Sequence, residues 1–155
     1  MADSTVGVYT AVYLAGQTVG NLLFGFLADK LGHKLSLEIS GLAIMLAFLL
    51  AWLATGPAFY FAVFALIGVY TGAVIVSGIM VVLEFPAPEK RPTYVGLANT
   101  SVGIVSALAP LLGAGLAAIG YEWLFVVSAA SGLLAFGLMR WWVQEPRFVN
   151  GKMSG

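Results

Sequence analysis

The residues with the most chemical character lie in one short segment, GFLADKLGHK, residues 25–34, which interrupts an otherwise apolar chain. The segment holds a carboxylate, Asp29, two lysines and the single histidine of the chain, His33. A carboxylate at the end of a membrane helix can meet the positive N-terminus of another helix. Gly25 would let a neighbouring helix approach closely, and Gly32 would permit the positive φ of a tight turn. The segment is therefore either a conformational latch or a solvated loop that only sets topology.

Two glutamates near predicted helix ends form a second group of charged residues with the basic residues around them. Glu38 lies one helical turn after Lys34, which predicts a local ion pair. Glu84 precedes Lys90 and Arg91 in sequence. We expect this charge cluster to have a structural or gating role, and contact with a substrate is the alternative.

Uncharged polar residues inside the apolar stretches are candidates for a substrate pathway. No Lys, Arg, Asp or Glu lies near the middle of a predicted span, so we do not expect a proton relay within these spans. The alternative role of the uncharged group is hydrogen bonding between helices, worth about 1 kcal/mol each. The candidates for this pathway are Gln17, Asn21, Tyr70, Thr71, Ser77 and Asn99.

The residues needed for several other functions are missing from the sequence. The chain has no cysteine and one histidine, which argues against a thiolate nucleophile and a histidine metal cluster. It shows no Gly-x-Ser-x-Gly, no phosphate-binding glycine loop and no His-Glu-x-x-His. With zero net charge it has no basic surface for nucleic acid. We therefore expect no enzyme activity, no cofactor, no metal and no nucleic-acid partner.

The elements that position these residues are predicted to be membrane-spanning helices. Of the 155 residues, 61% are hydrophobic and 9% are charged, and the mean hydropathy is +0.98. Strands are not expected, because an open sheet leaves its edges unsatisfied in lipid. A span needs about 20 apolar residues. Five stretches qualify, at about 5–28, 35–54, 57–83, 93–119 and 123–143. The fold class is thus an all-α membrane protein, with a bundle over 1–143 and a polar tail over 144–155.

Small residues mark helix faces that should pack tightly or bend. They recur four residues apart in GQTVG (16–20) and GVYTG (68–72). They also cluster around Pro110 in ALAPLLGAG (107–115), where a proline in mid-helix and Gly113 predict a kink.

The basic residues predict one orientation in the membrane. If the five spans alternate, all seven fall on one side, which the positive-inside rule makes cytoplasmic. They are Lys30, Lys34, Lys90, Arg91, Arg140, Arg147 and Lys152. We therefore expect a multi-pass protein of the inner (plasma) membrane, with the N-terminus outside and the C-terminal tail in the cytoplasm. An odd number of spans after so short an outside N-terminus suggests that a preceding helix is missing, although short N-terminal tails can also cross membranes.

The charged segment resembles the Gly-x-x-x-Asp-Arg/Lys-x-Gly-Arg/Lys-Arg/Lys signature of the major facilitator superfamily. The matching residues are Gly25, Asp29, Lys30, Gly32 and Lys34. His33 departs from the signature, because the family more often has a fixed positive charge there. LEFPAPEKRPTYVGLANT (83–100) is similar to the connection between the tenth and eleventh helices of bacterial members, and VQEPR (143–147) to their C-terminal end. The resemblance implies helices eight to twelve, most of one six-helix bundle, and helices two to six are the alternative.

The resemblance implies part of a secondary transporter of small molecules that works by alternating access. Asp29 and the residues around it, including His33, would then form a gating motif whose partner helix belongs to the other half. We therefore expect the chain alone not to transport, and its partners to be the lipid bilayer, a small-molecule substrate and either a missing N-terminal half or another copy. A small self-assembling membrane subunit or scaffold without transport activity is the rival hypothesis. A compact homodimeric exporter would need an acidic residue within the membrane spans, and the sequence has none near the middle of a predicted span.

Overall fold

Five long helices make up almost all of the computed structural model, which describes residues 3–144 and the side chains of 5–144. In chain order they are α1 (Asp3–Leu31), α2 (His33–Leu53), α3 (Pro57–Glu84), α4 (Arg91–Ile119) and α5 (Tyr121–Trp141). A short 3-10 turn, Pro88–Lys90, precedes α4. All five are long and apolar enough to cross a membrane. The chain is therefore an all-α, multi-pass membrane protein, as its sequence predicts.

The turns between helices are short and are set by glycine and proline. Pro57 and Pro92 occupy the first turn of α3 and α4, where a missing N–H removes no helix bond. The predicted polar loop at 29–34 shrinks to one residue, because α1 continues to Leu31 and α2 begins at His33. Gly32 makes this reversal possible with a φ of 96°.

The bundle is held together along one row of helices. α1 packs against α3, α3 against α2, and α2 against α5. The first contact is the tightest, because glycines of α1 and α3 face each other's backbone: a Cβ on Gly16 would lie 2.5 Å from the carbonyl oxygen of Ala65, and one on Gly20 equally close to that of Val69. The predicted tight packing of GQTVG and GVYTG is thus confirmed.

α4 stands apart from this row. It contacts α3 and α5 only slightly, and in the described chain none of its residues is buried. It continues as one helix through Pro110, and a Cβ on Gly113 would reach only Leu124, at 4.0 Å. The glycines around Pro110 therefore do not form a tight contact here, and the bend at Pro110 stays a prediction.

Candidate functional site

The charged segment forms the junction of α1 and α2, and its Asp29 and Lys30 side chains face outward. Asp29 and Lys30 are exposed, and the Lys30 ammonium lies 4.2 Å from the centre of the Phe26 ring. The Gly32 N–H donates to the Ala28 carbonyl at 3.0 Å, which closes the last turn of α1. The helix ends thus hold Asp29 at the surface of what we call the basic end, the end of the bundle that carries Lys30, Lys34 and Arg140.

Gly25 occupies an open part of the α1 surface. A Cβ at this position would meet nothing within 4 Å. The close neighbour that the sequence predicts for Gly25 is therefore not among the described residues of this chain. The face of α1 one turn before Asp29 is free to receive another helix.

His33 points into the bundle and not into solvent. Its Nδ1 lies 3.1 Å from the hydroxyl of Ser77 in α3, and Ser77 is fully buried. One turn further along α2, the Ser36 hydroxyl donates to the Phe24 carbonyl of α1 at 3.5 Å. These two bonds join the start of α2 to both α1 and α3.

Glu38 pairs across the bundle and not along its own helix. Its carboxylate lies 3.5 Å from the Arg140 guanidinium of α5, and the two side chains are 8% and 59% exposed. The predicted pair with Lys34 is therefore wrong. The physical reason is that Glu38 faces α5, where a long arginine side chain reaches it from the same end of the bundle. The rest of the predicted charge cluster lies elsewhere: Glu84 ends α3, while Lys90 and Arg91 are exposed at the start of α4.

The six candidate pathway residues do not come together in one place. Gln17 and Asn21 lie where α1 meets α3, and a Cβ on Gly72 would be 2.6 Å from the Asn21 nitrogen and the Gln17 carbonyl oxygen. The Asn21 Oδ1 is buried without a hydrogen-bond partner among the described residues. Thr71 donates to the Ile67 carbonyl of its own helix at 2.8 Å, and Asn99 is exposed on α4.

Tyr70 lines a cleft between α3 and α5. These two helices do not pack against each other within the described chain, and α2 forms the floor of the gap between them. The cleft has a volume of about 420 Å³. Four of its lining residues carry hydroxyl groups: Ser40, Tyr70, Ser128 and Ser131. It is large enough for a small organic molecule or for side chains of another helix.

Two side chains that tie the helices together were missed by sequence reasoning. Arg140 could have been found, because it is the one charge at the end of the last span that lies level with Glu38. The role of Tyr9 could not have been found from sequence, because its contacts depend on the α1–α3 register. Its hydroxyl donates to the Pro57 carbonyl at 2.9 Å, and its ring stacks on that of Phe64 with 5.1 Å between the ring centres.

Comparison with known proteins identifies relatives over nearly the whole chain. The sequence profile of the Major Facilitator Superfamily matches residues 1–153. Solute carrier family 22 member 20 of Mus musculus is 31% identical over 143 residues, which are 87% of this chain and 24% of the relative. Multidrug resistance protein MdtL of Shewanella sp. strain ANA-3 is 28% identical over 145 residues, covering 92% of this chain and 36% of the relative.

The protein of the same name from Salmonella paratyphi C is 26% identical over 151 residues, which are 96% of this chain and 38% of the relative. The chain therefore spans about a quarter to two-fifths of the length of these relatives.

Proposed function

Because this chain belongs to the Major Facilitator Superfamily, we propose that it forms part of a secondary active transporter of small molecules that works by alternating access. The observation that carries the proposal is the junction of α1 and α2, where Asp29 is exposed at a helix end and Gly25 leaves an open face one turn earlier. A helix from outside this chain can approach Gly25 closely and offer its N-terminus to Asp29. Forming and breaking that contact would bias one state of the transporter.

We further propose that these five helices need other helices to transport. α4 has no buried residue in the described chain, and the cleft beside α3 and α5 is open. Relatives of greater length contain the sequence that could cover both. The partner is either an N-terminal helical half or another copy of this chain.

The orientation that we propose places the basic end in the cytoplasm of a cell with an inner (plasma) membrane. Lys30, Lys34 and Arg140 lie at one end of the bundle, and α4 begins beside that end with Lys90 and Arg91. The chain has no cysteine, so single cysteines report orientation directly. Glu89→Cys should react with an impermeant maleimide only after the membrane is opened, and Glu122→Cys in intact cells. The reverse pattern would overturn this orientation.

Transport is tested with organic molecules, because relatives named multidrug resistance protein favour that substrate class. The assay follows ethidium accumulation in cells that express the natural gene, with Asp29→Asn as the test variant and Glu89→Gln as a control for losing an exposed carboxylate at the same end. Asp29→Asn should bring ethidium accumulation closer to that of cells without the protein, while Glu89→Gln should not. Equal effects of the two variants would contradict a gating role for Asp29, and transport by the 155-residue polypeptide alone would contradict its need for a partner.

A non-transporting, self-assembling subunit is the second candidate, because the exposed α4 would also suit a second copy. An antibody to the tail FVNGKMSG (148–155) separates the two hypotheses in native membranes. A band near 16.3 kDa in a fixed oligomer favours the subunit. A band several times heavier favours a longer transporter.

A further inference from the structure

The contact between His33 and Ser77 joins the charged segment to a different helix. The two residues are 44 positions apart, and the imidazole Nδ1 lies 3.1 Å from the hydroxyl. Ser77 lies seven residues before the end of α3, about 10 Å along a helix axis. The first side chain of α2 therefore reaches inward to α3 and does not lie at the surface with Asp29 and Lys30.

The chemistry of the pair explains why an imidazole suits this position. Ser77 is completely buried, with 0% of its surface accessible. A buried hydroxyl needs a partner, and bringing a permanent charge beside it would carry a desolvation cost. A neutral imidazole satisfies the serine without that cost, either by accepting the Ser77 O–H at Nδ1 or by donating its own Nδ1–H. An arginine could only donate and would stay charged.

His33 provides a side-chain hydrogen bond between the charged segment and α3. Ser36 ties the same turn of α2 to α1, through the Phe24 carbonyl. Glu38, on another face of α2, is held by Arg140 of α5. The start of α2 is thus fastened to α1, α3 and α5 by three different side chains, of which His33 reaches α3.

We propose that His33 is a positioning residue that fastens the charged segment to α3 through Ser77, so that the Asp29 side chain keeps its place at the basic end and follows α3 when α3 moves. The hydrogen bond stands on the structure alone. Its use in gating rests on the proposed function, and the experiment below tests the bond without requiring transport.

The test is hydrogen exchange of the backbone amides at 29–36 in the full polypeptide, reconstituted in lipid nanodiscs. His33→Ala and Ser77→Ala should each speed that exchange roughly two- to tenfold, the effect of losing one buried hydrogen bond. The double variant should be no faster than either single variant, because both remove the same bond. His33→Gln, which can reach, donate and accept, should restore slow exchange.

Ser40→Ala is the matched control. Ser40 is also buried, at 2% exposure, but its hydroxyl donates at 2.8 Å to Leu37 within α2. Ser40→Ala should therefore leave hydrogen exchange at the α1–α2 junction unchanged.

Additive effects of His33→Ala and Ser77→Ala, or no rescue by His33→Gln, would overturn the link. If the exchange results hold but Ser77→Ala leaves ethidium transport unchanged in cells that express the natural gene, the link stands and its role in gating is disproved. If no transport is seen with any form of the protein, the proposed function fails while the link is still established.

Discussion

The α1–α3 pair and α4 are built from similar residues but behave differently. Both contain glycines at helix-contact spacing, yet a Cβ on Gly16 or Gly72 would collide with the partner's backbone, whereas one on Gly103 would meet nothing within 4 Å. Tyr9 adds a hydrogen bond and a stacked ring to the first contact, and α4 has no buried residue in the described chain. Small residues therefore permit close packing in a membrane, but the presence of a facing helix decides whether it occurs.

Six small or polar residues form a row along one side of α4. They recur every three or four positions, so they share a face that we call the small face of α4. It consists of Gly96, Asn99, Gly103, Ser106, Pro110 and Gly113. Leu97, Ile104 and Leu108 lie opposite, and all three are exposed. α4 thus presents a small face that no helix covers among the described residues.

The largest effect is expected from filling the α1–α3 contact. Gly72→Leu would push a side chain into the backbone of Gln17 and Asn21, which neither helix can avoid without separating. We expect a loss of about 3 kcal/mol or more of unfolding free energy, or failure to fold. Unfolding in a mixed-detergent titration measures this loss, and yield in the membrane reports outright failure.

Gly115→Leu is the matched control for that change, because it makes the same substitution on α4, where a Cβ meets nothing within 4 Å. It should cost no stability, and the higher helix propensity of leucine favours the variant by up to about 1 kcal/mol. Equal losses from the two substitutions would show that the difference between the two regions is not one of packing.

The ion pair between α2 and α5 should give the next largest effect. Arg140→Gln leaves the Glu38 carboxylate, which is 8% exposed, without its partner, so we expect a loss of about 1–3 kcal/mol. Lys90→Gln removes an exposed basic residue at the start of α4 and should change stability by less than about 0.5 kcal/mol. The same unfolding titration measures both.

The double variant Glu38→Gln with Arg140→Gln tests the pairing itself. It should recover part of the loss, because no unpaired charge then remains inside the bundle. A double variant as unstable as the sum of the single variants would show that the two residues act separately.

The hydroxyl of Tyr9 should contribute less. Tyr9→Phe removes the bond to the Pro57 carbonyl but keeps the ring against Phe64, so we expect a loss of about 1 kcal/mol. Tyr94→Phe makes the same change on the exposed surface of α4 and should be neutral. A neutral Tyr9→Phe would mean that aromatic packing alone closes that end of the α1–α3 contact.

Local features of the chain were predictable from sequence because they depend on periodicity and on a few special residues. Apolar length gives the five helices, and proline gives the starts of α3 and α4. Glycine spacing gives the α1–α3 contact but not its register. The length of the α1–α2 turn was overestimated, because Gly32 at φ 96° reverses the chain in a single residue and lets charged residues remain helical.

Pairings between distant residues were not predictable in the same way. Glu38 has a basic residue one turn away, and sequence spacing favours that neighbour. The choice of Arg140 depends on which face of α2 meets α5, and the choice of Ser77 by His33 depends on how far α3 extends beside the junction. Both require the relative rotation of helices, which a single sequence of apolar residues leaves open. The six pathway candidates were grouped by polarity alone, and they lie on α1, α3 and α4, so their shared role stays a prediction.

The smallest effect in the polypeptide by itself is expected on the small face of α4, and there the surroundings decide the outcome. Gly103→Leu and Val105→Leu both add bulk to α4, the first on the small face and the second outside it. In the 155-residue polypeptide each should change stability by less than about 0.5 kcal/mol, apart from helix propensity, because neither position contacts another helix.

In cells that express the natural gene, Gly103→Leu should lower the amount of folded protein while Val105→Leu should not. A helix seated on the small face would be displaced by the leucine at 103, whereas lipid beside Val105 would adapt to the leucine there. If both variants behave alike in both settings, lipid alone covers α4, and the difference between α4 and the α1–α3 pair is a permanent property of the protein and not the mark of an absent partner.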